Sequence, residues 1–178
     1  MDSAVQVSLR IGRILPLRWD DPDYACMMIL TTTLGGYFGS RLMKNIRETK
    51  GYTYGIYART QVYRGVIVFY ITSNVSKEHA ADAEHEIFME MQRLAEEPVP
   101  EEELEIVKNY MVGDIMRTVD GPFERSVRYI DMCAAGVTEQ LSLNLQEALR
   151  ECTPEKIKNL AARFFRPDEM IVCRVGAV

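Results

Sequence analysis

The two histidines, His79 and His85, are the first candidates for metal or acid–base chemistry. They stand six residues apart in charged, helix-forming sequence, and at roughly 100° per residue this separates them by about 120° around the axis. That spacing suits solvent-exposed helix histidines rather than two ligands of one ion. A self-contained enzyme built on either histidine is the weakest functional reading. The sequence contains no GxSxG nucleophile elbow, no P-loop and no GxGxxG. Gly35-Gly36-Tyr37-Phe38-Gly39 is rich in glycine, but it follows helical sequence instead of a strand and carries no phosphate-binding lysine, so its role is structural. Cys26, Cys133, Cys152 and Cys173 are widely spaced, with no CxxC pair, and read as buried thiols in preference to a disulfide.

The elements that would carry such residues are well marked. Val5, Val7, Leu9 and Ile11 alternate with polar residues or glycine, as in a half-buried strand. Asp20-Asp21-Pro22-Asp23 opens a helix that runs to Leu34 and is apolar on most sides, and Gly35-Gly36 breaks it. A second helix from about Phe38 to Lys50 turns Leu42, Met43 and Ile46 inward and stops at Gly51. Tyr52–Gln61 and Val66–Ser73, joined across Arg64-Gly65, form an antiparallel hairpin.

Beyond Asn74 the period becomes helical. Ala80, Ala83, Ile87, Met91 and Leu94 form one apolar stripe, and Pro98 and Pro100 end that helix. Three glutamates from Glu101 open the next, with Leu104, Val107, Met111 and Ile115 as its stripe. Asp120-Gly121-Pro122 is a turn, Phe123, Val127, Ile130 and Ala134 mark a helix closed by Gly136, and Thr138–Arg150 is helical. Thr153-Pro154-Glu155 caps a last helix with Ile157, Leu160, Ala161 and Phe164 inside, and Met170–Val175 is a closing strand. With no linker or repeat, residues 1–178 form one domain of the α+β class, helices packed on one face of a largely antiparallel sheet.

Composition bounds what such a domain can do. Of 178 residues, 47% are hydrophobic, enough for a sizeable core. The formal net charge of −5 argues against a nucleic-acid binder, which needs clustered Lys and Arg. The longest largely apolar stretch, Tyr24–Phe38, is interrupted by Thr31, Thr32 and Thr33 and is too short to span a bilayer, so the expectation is a soluble protein with no membrane span. Met1-Asp2 leads straight into strand-like sequence with no secretory leader, and the compartment stays unassigned.

The most specific stretch is Leu34-Gly35-Gly36-Tyr37-Phe38-Gly39-Ser40-Arg41-Leu42-Met43-Lys44-Asn45-Ile46-Arg47-Glu48-Thr49-Lys50-Gly51-Tyr52-Thr53-Tyr54-Gly55. It resembles the pitrilysin-like (insulinase-type, "inverted" zinc) metallopeptidases: a glycine-rich break, a Ser-Arg-Leu helix, an Ile-Arg-Glu helix end, then Gly-x-x-Tyr entering a strand. The strand from Ala4 to Gly12 and the closing helix and strand from Thr153 onward agree with the same family, so the resemblance covers essentially the whole chain.

The resemblance implies a two-lobed enzyme whose lobes, on one chain or two, close around an unfolded peptide. One lobe carries His-x-x-Glu-His, whose histidines hold zinc with a later glutamate while the motif's own glutamate activates water. This chain lacks that motif. It resembles the opposing C-terminal lobe, a fragment of a longer two-lobed protein that needs no metal of its own; zinc belongs to its partner lobe. In the family that opposing lobe offers substrate an arginine and, seven residues later, a tyrosine, which Arg47 and Tyr54 match.

A guanidinium on a helix end and a phenol on the next strand could converge on one carbonyl and stabilise the oxyanion that forms there. Read from the residues alone, plainer roles fit better: Arg47 paired with a nearby carboxylate and Tyr54 packed on the core. Arg41 is assigned to holding its helix in place. The competing function is that of a pitrilysin-like subunit that has lost proteolysis and serves as a structural or peptide-binding piece, as relatives in the core of respiratory complexes do.

Overall fold

The computed structural model describes residues 6–176, so Ala4, Val5 and the Met1-Asp2 start lie outside the described residues. Strand β1 (Gln6–Leu15) buries Val7, Leu9, Ile11 and Leu15 and turns the residues between them the other way, as a period of two requires. It is the third strand of a four-stranded sheet ordered β2-β3-β1-β4, in which every pairing is antiparallel. The hairpin partners are β2 (Thr53–Tyr63) and β3 (Val66–Ser76), and β4 (Ile171–Gly176) pairs on the far side of β1. Tyr63 pairs with Val66 across a two-residue turn in which Arg64 and Gly65 both have positive φ, 47° and 84°. This mirror-image turn matches the twist of the strands it joins.

Helix α1 (Pro22–Gly35) begins on Asp21, whose carboxylate accepts from the Asp23 amide at 2.9 Å. It lies against β2 so closely that a Cβ on Gly35 would come within 2.7 Å of the Ala58 backbone nitrogen, which is why this end of the helix needs glycine. Helix α2 (Ala80–Glu96) buries all five residues of its expected stripe and covers the sheet together with α6 (Pro154–Phe164). Thr153 caps α6 as expected, its hydroxyl accepting from the Lys156 amide at 3.3 Å. Between them run α3 (Glu101–Arg117), α4 (Pro122–Ala135) and α5 (Gln140–Glu151). The fold is therefore α+β with its helices on one face of the sheet. The opposite face, with Arg10, Tyr57, Arg59 and Cys173, carries no helix.

Two expectations need correction. Cys26 and Cys152 are buried, 8% and 5% exposed, but Cys133 and Cys173 are exposed thiols. Cys133 lies on α4, which buries no residue, and Cys173 sits on the helix-free face of β4, opposite Arg10. The proximity of the two buried thiols favours the thiolate of Cys26 and lowers its pKa, and the same neighbour, with burial, pushes Cys152 up. The native chain should accordingly react with a disulfide reagent at Cys133 and Cys173 within minutes and at the other two only in denaturant. Four fast thiols in the native state would contradict this burial pattern.

The second correction concerns the histidines. His85 is exposed on α2, but His79 sits in the 3₁₀ turn ahead of that helix, half-buried, with its ring stacked on Tyr52 at 4.3 Å. No group of three or more metal-binding side chains occurs among the described residues, and no helix there is long and apolar enough to cross a membrane.

Candidate functional site

The segment that carries Arg47 is not the α-helix its sequence suggests. After the glycine-rich break the chain makes a turn at Tyr37-Phe38-Gly39-Ser40, with the Ser40 amide bonded to the Tyr37 carbonyl and the Tyr37 ring stacked on Tyr110 of α3 at 4.9 Å. Helical structure starts only at Arg41 and then widens into a π-helix over Met43–Thr49. Leu42, Met43 and Ile46 point into the core as expected. The Lys50 amide reaches back to the Asn45 carbonyl at 3.0 Å, and the Thr49 hydroxyl to the Lys44 carbonyl at 2.8 Å, each a span of five residues. Gly51, with φ of 69°, then turns the chain into β2, a conformation that disfavours any side chain.

Arg47 lies in the middle of this π segment, half-buried. Its guanidinium carbon sits 4.7 Å from the centre of the Phe38 ring, a cation–π contact worth about 0.5–1 kcal/mol at an accessible site. Two neighbouring cations are paired elsewhere: Arg41 with Glu103 of α3 through two bonds of 2.9 Å, and Lys50 with Glu86 of α2 at 3.0 Å. Arg41 thus ties its helix to α3, the anchoring role expected of it. Among the described residues no carboxylate pairs with Arg47, so the plainer role read from the residues does not hold.

Tyr54 is held differently. Thr53 pairs with Val75 but Ile56 with Ser73, so Tyr54 and Gly55 lie in a bulge at the start of β2. Side chains pin the bulge from beneath. The Thr53 hydroxyl donates to the Asn74 carbonyl at 2.7 Å and accepts from the Gly55 amide at 3.2 Å, and buried Ser73 donates to the Gly55 carbonyl at 3.0 Å. The bulge turns Tyr54 outward, 89% exposed, against the expectation that it packs on the core. Arg47 and Tyr54 therefore flank the Gly51 turn with their polar ends unclaimed by this chain among the described residues, and no hydrogen bond joins them directly.

A larger cleft, of about 1080 Å³, opens at the other end of β2, between the hairpin tip and helices α3, α4 and α5. Met28, Val62, Ile115 and Leu145 form its floor, and Phe123 and Val127 stand on its rim, 80% and 57% exposed. The spacing of the apolar residues of α4 announced a helix, but nothing in that spacing tells a buried stripe from an uncovered one.

The family model described as the peptidase M16 inactive domain matches residues 1–111. Among curated proteins, the "Probable inactive metalloprotease YmfF" of Bacillus subtilis (strain 168) is 22% identical over 149 residues, covering 82% of this chain and 34% of that protein. Among solved structures, the peptidase M16 inactive domain from Pseudomonas fluorescens matches with a TM-score of 0.82 at 23% identity, over 100% of this chain and 42% of the other. A protease from Helicobacter pylori reaches a TM-score of 0.86 at 14% identity, over 98% of this chain and 42% of its own. This chain spans well under half the length of each of the three. At these identities the likeness to the solved structures speaks for the fold.

Proposed function

The chain belongs to the peptidase M16 family, as the domain type described there as inactive, and on that premise we propose that it is the non-metal lobe of a two-lobed zinc peptidase. It closes the chamber opposite a zinc-binding lobe, carried on the same polypeptide or on a partner subunit, and presents Arg47 and Tyr54 to an unfolded peptide held between them. The observation that carries this reading is that both side chains are held by the backbone while, among the described residues, no hydrogen bond or ion pair takes up their polar ends. An arginine kept only for structure would be expected to pair with a carboxylate, and a tyrosine kept only for packing to be buried.

On this reading the zinc sits in the opposite lobe. His79 is engaged with Tyr52, His85 stands on an exposed helix face, and among the described residues no three His, Cys, Asp or Glu side chains gather as ligands of one ion. On the proposed arrangement the zinc lobe supplies the activated water, and this chain's residues bind and orient the peptide. The guanidinium and the phenol donate toward the carbonyl under attack, where fixed donors act most strongly as negative charge develops. Tyr54 suits that task because the bulge aims a phenol with few degrees of freedom away from the sheet.

The test is reassembly. The chain alone should not cleave an unfolded peptide with or without added zinc, and adding the zinc lobe should produce cleavage that a chelator abolishes. Chelator-sensitive cleavage by this chain alone would defeat the proposal. A second reading, a lobe that keeps the shape after proteolysis is lost, is favoured by the description of the B. subtilis relative as inactive. On that reading the reassembled pair binds unfolded peptide and turns none over.

A further inference from the structure

We infer that Asn45 and Glu90 are positioning residues that hold Met43–Thr49 in its π register and so aim Arg47; the inference rests on the proposed role of Arg47 in the chamber. A π-helix is rare, its wide lap being poorer in packing and hydrogen-bond geometry than the α-helix, and a seven-residue stretch of it needs a tertiary restraint to persist. The structure supplies one from α2. The Asn45 side-chain amide donates to Glu86 at 2.9 Å and to Glu90 at 2.7 Å, two carboxylates one helical turn apart on the same face. Glu90 is 5% exposed, and its oxygen also accepts from Arg93 at 2.6 Å.

Glu86 accepts from Lys50 as well, at the C-terminal end of the π segment. The hydrogen bonds from Lys50 and Asn45 hold the Glu86 carboxyl below the usual glutamate range, so it is charged and ready to accept at neutral pH. The segment is thus clamped at Asn45 and at Lys50, on either side of Arg47. Between those clamps each lap takes five residues instead of four, so the direction in which Arg47 leaves the axis depends on the register being kept. Were the segment to relax to an α-helix, Arg47 would rotate relative to Asn45 and lose its place over Phe38.

Two measurements test this. The first is amide hydrogen exchange in this chain, read at Lys50 and Tyr52, whose amides bond to the Asn45 and Ile46 carbonyls at 3.0 Å each, with Phe69 in the central strand as internal reference. Asn45→Ala and Glu90→Ala should each speed exchange at Lys50 and Tyr52 about tenfold relative to Phe69, the loss expected for a hydrogen bond to a charged group. Glu90→Gln keeps an accepting oxygen but loses its charge, and should speed exchange less than Glu90→Ala does.

The second measurement is turnover in the enzyme reassembled with its zinc lobe. Asn45→Ala should lower kcat about tenfold with KM little changed, and in an Arg47→Ala background it should cost nothing more. Unchanged exchange at Lys50 and Tyr52 in Asn45→Ala would overturn the inference, as would a further loss of turnover on top of Arg47→Ala. If Arg47→Ala itself leaves turnover intact, the reading of Arg47 fails, and the exchange measurement alone decides whether the clamp holds the register.

Discussion

Arg47→Ala and Tyr54→Phe, each tested in the enzyme reassembled with its zinc lobe, should lower kcat by about 10² to 10³ and raise KM far less. Donors aimed at charge that appears only as the carbonyl is attacked are realised in the transition state, so their loss is felt in turnover and not in binding. Long peptides should still bind both variants with nearly parental affinity. The two losses should combine less than additively, because both donors would serve one centre and neither holds it well without the other. Both variants should fold, since Tyr54 is 89% exposed and the guanidinium of Arg47 lies over the exposed Phe38 ring. Unchanged turnover in both would leave this lobe with shape and binding surface alone, and the non-proteolytic reading would replace the proposal.

Phe69→Ala should destabilise the chain by about 3–5 kcal/mol. Phe69 lies on β3, bonded on one side to β2 and on the other to β1, and points fully buried into the layer of helices. Its ring meets Phe165, just past the end of α6, at 5.0 Å and 33°. Strands paired on both flanks cannot close in on the space a benzyl group leaves, so most of it persists as a cavity. Urea unfolding should show the midpoint fall with an unchanged slope. A loss below about 1 kcal/mol would mean that the helices settle onto the sheet and that this core is softer than its packing suggests.

Where periodicity is enforced by burial on both sides of a step, the sequence could be read directly. The alternation Val7, Leu9, Ile11 placed β1, and the stripe from Ala80 to Leu94 placed the apolar inward residues of α2, though not the buried Glu90. The turn at Arg64-Gly65 was legible because glycine is the residue that accepts its conformation most readily. Other features depend on partners distant in sequence. Nothing local distinguishes Met43–Thr49 from an α-helix, because what favours the wider lap is an asparagine meeting two glutamates 41 and 45 residues away. The same holds for Tyr54, whose outward aim comes from a register shift fixed by Ser73 and Asn74 on the partner strand. The family resemblance pointed to Arg47 and Tyr54, but only the structure shows that, among the described residues, no hydrogen bond or ion pair takes up either polar end.

The π-helix also bears on how the segment can vary in length. Five-residue laps put more chain into the same axial distance than an α-helix does, so Met43–Thr49 behaves as regular helix with an extra residue stored in it. Deleting one residue between Ile46 and Thr49, past the buried side chains of the segment, would discharge that store: the segment could rewind as α-helix and still meet Leu42 at one end and Gly51 at the other. The core would barely register the change, whereas the side chain at the position of Arg47 would leave on a new bearing. Among homologous lobes, a one-residue gap in this segment is therefore the expected scar of a lineage that kept the shell of the chamber and gave up the donor.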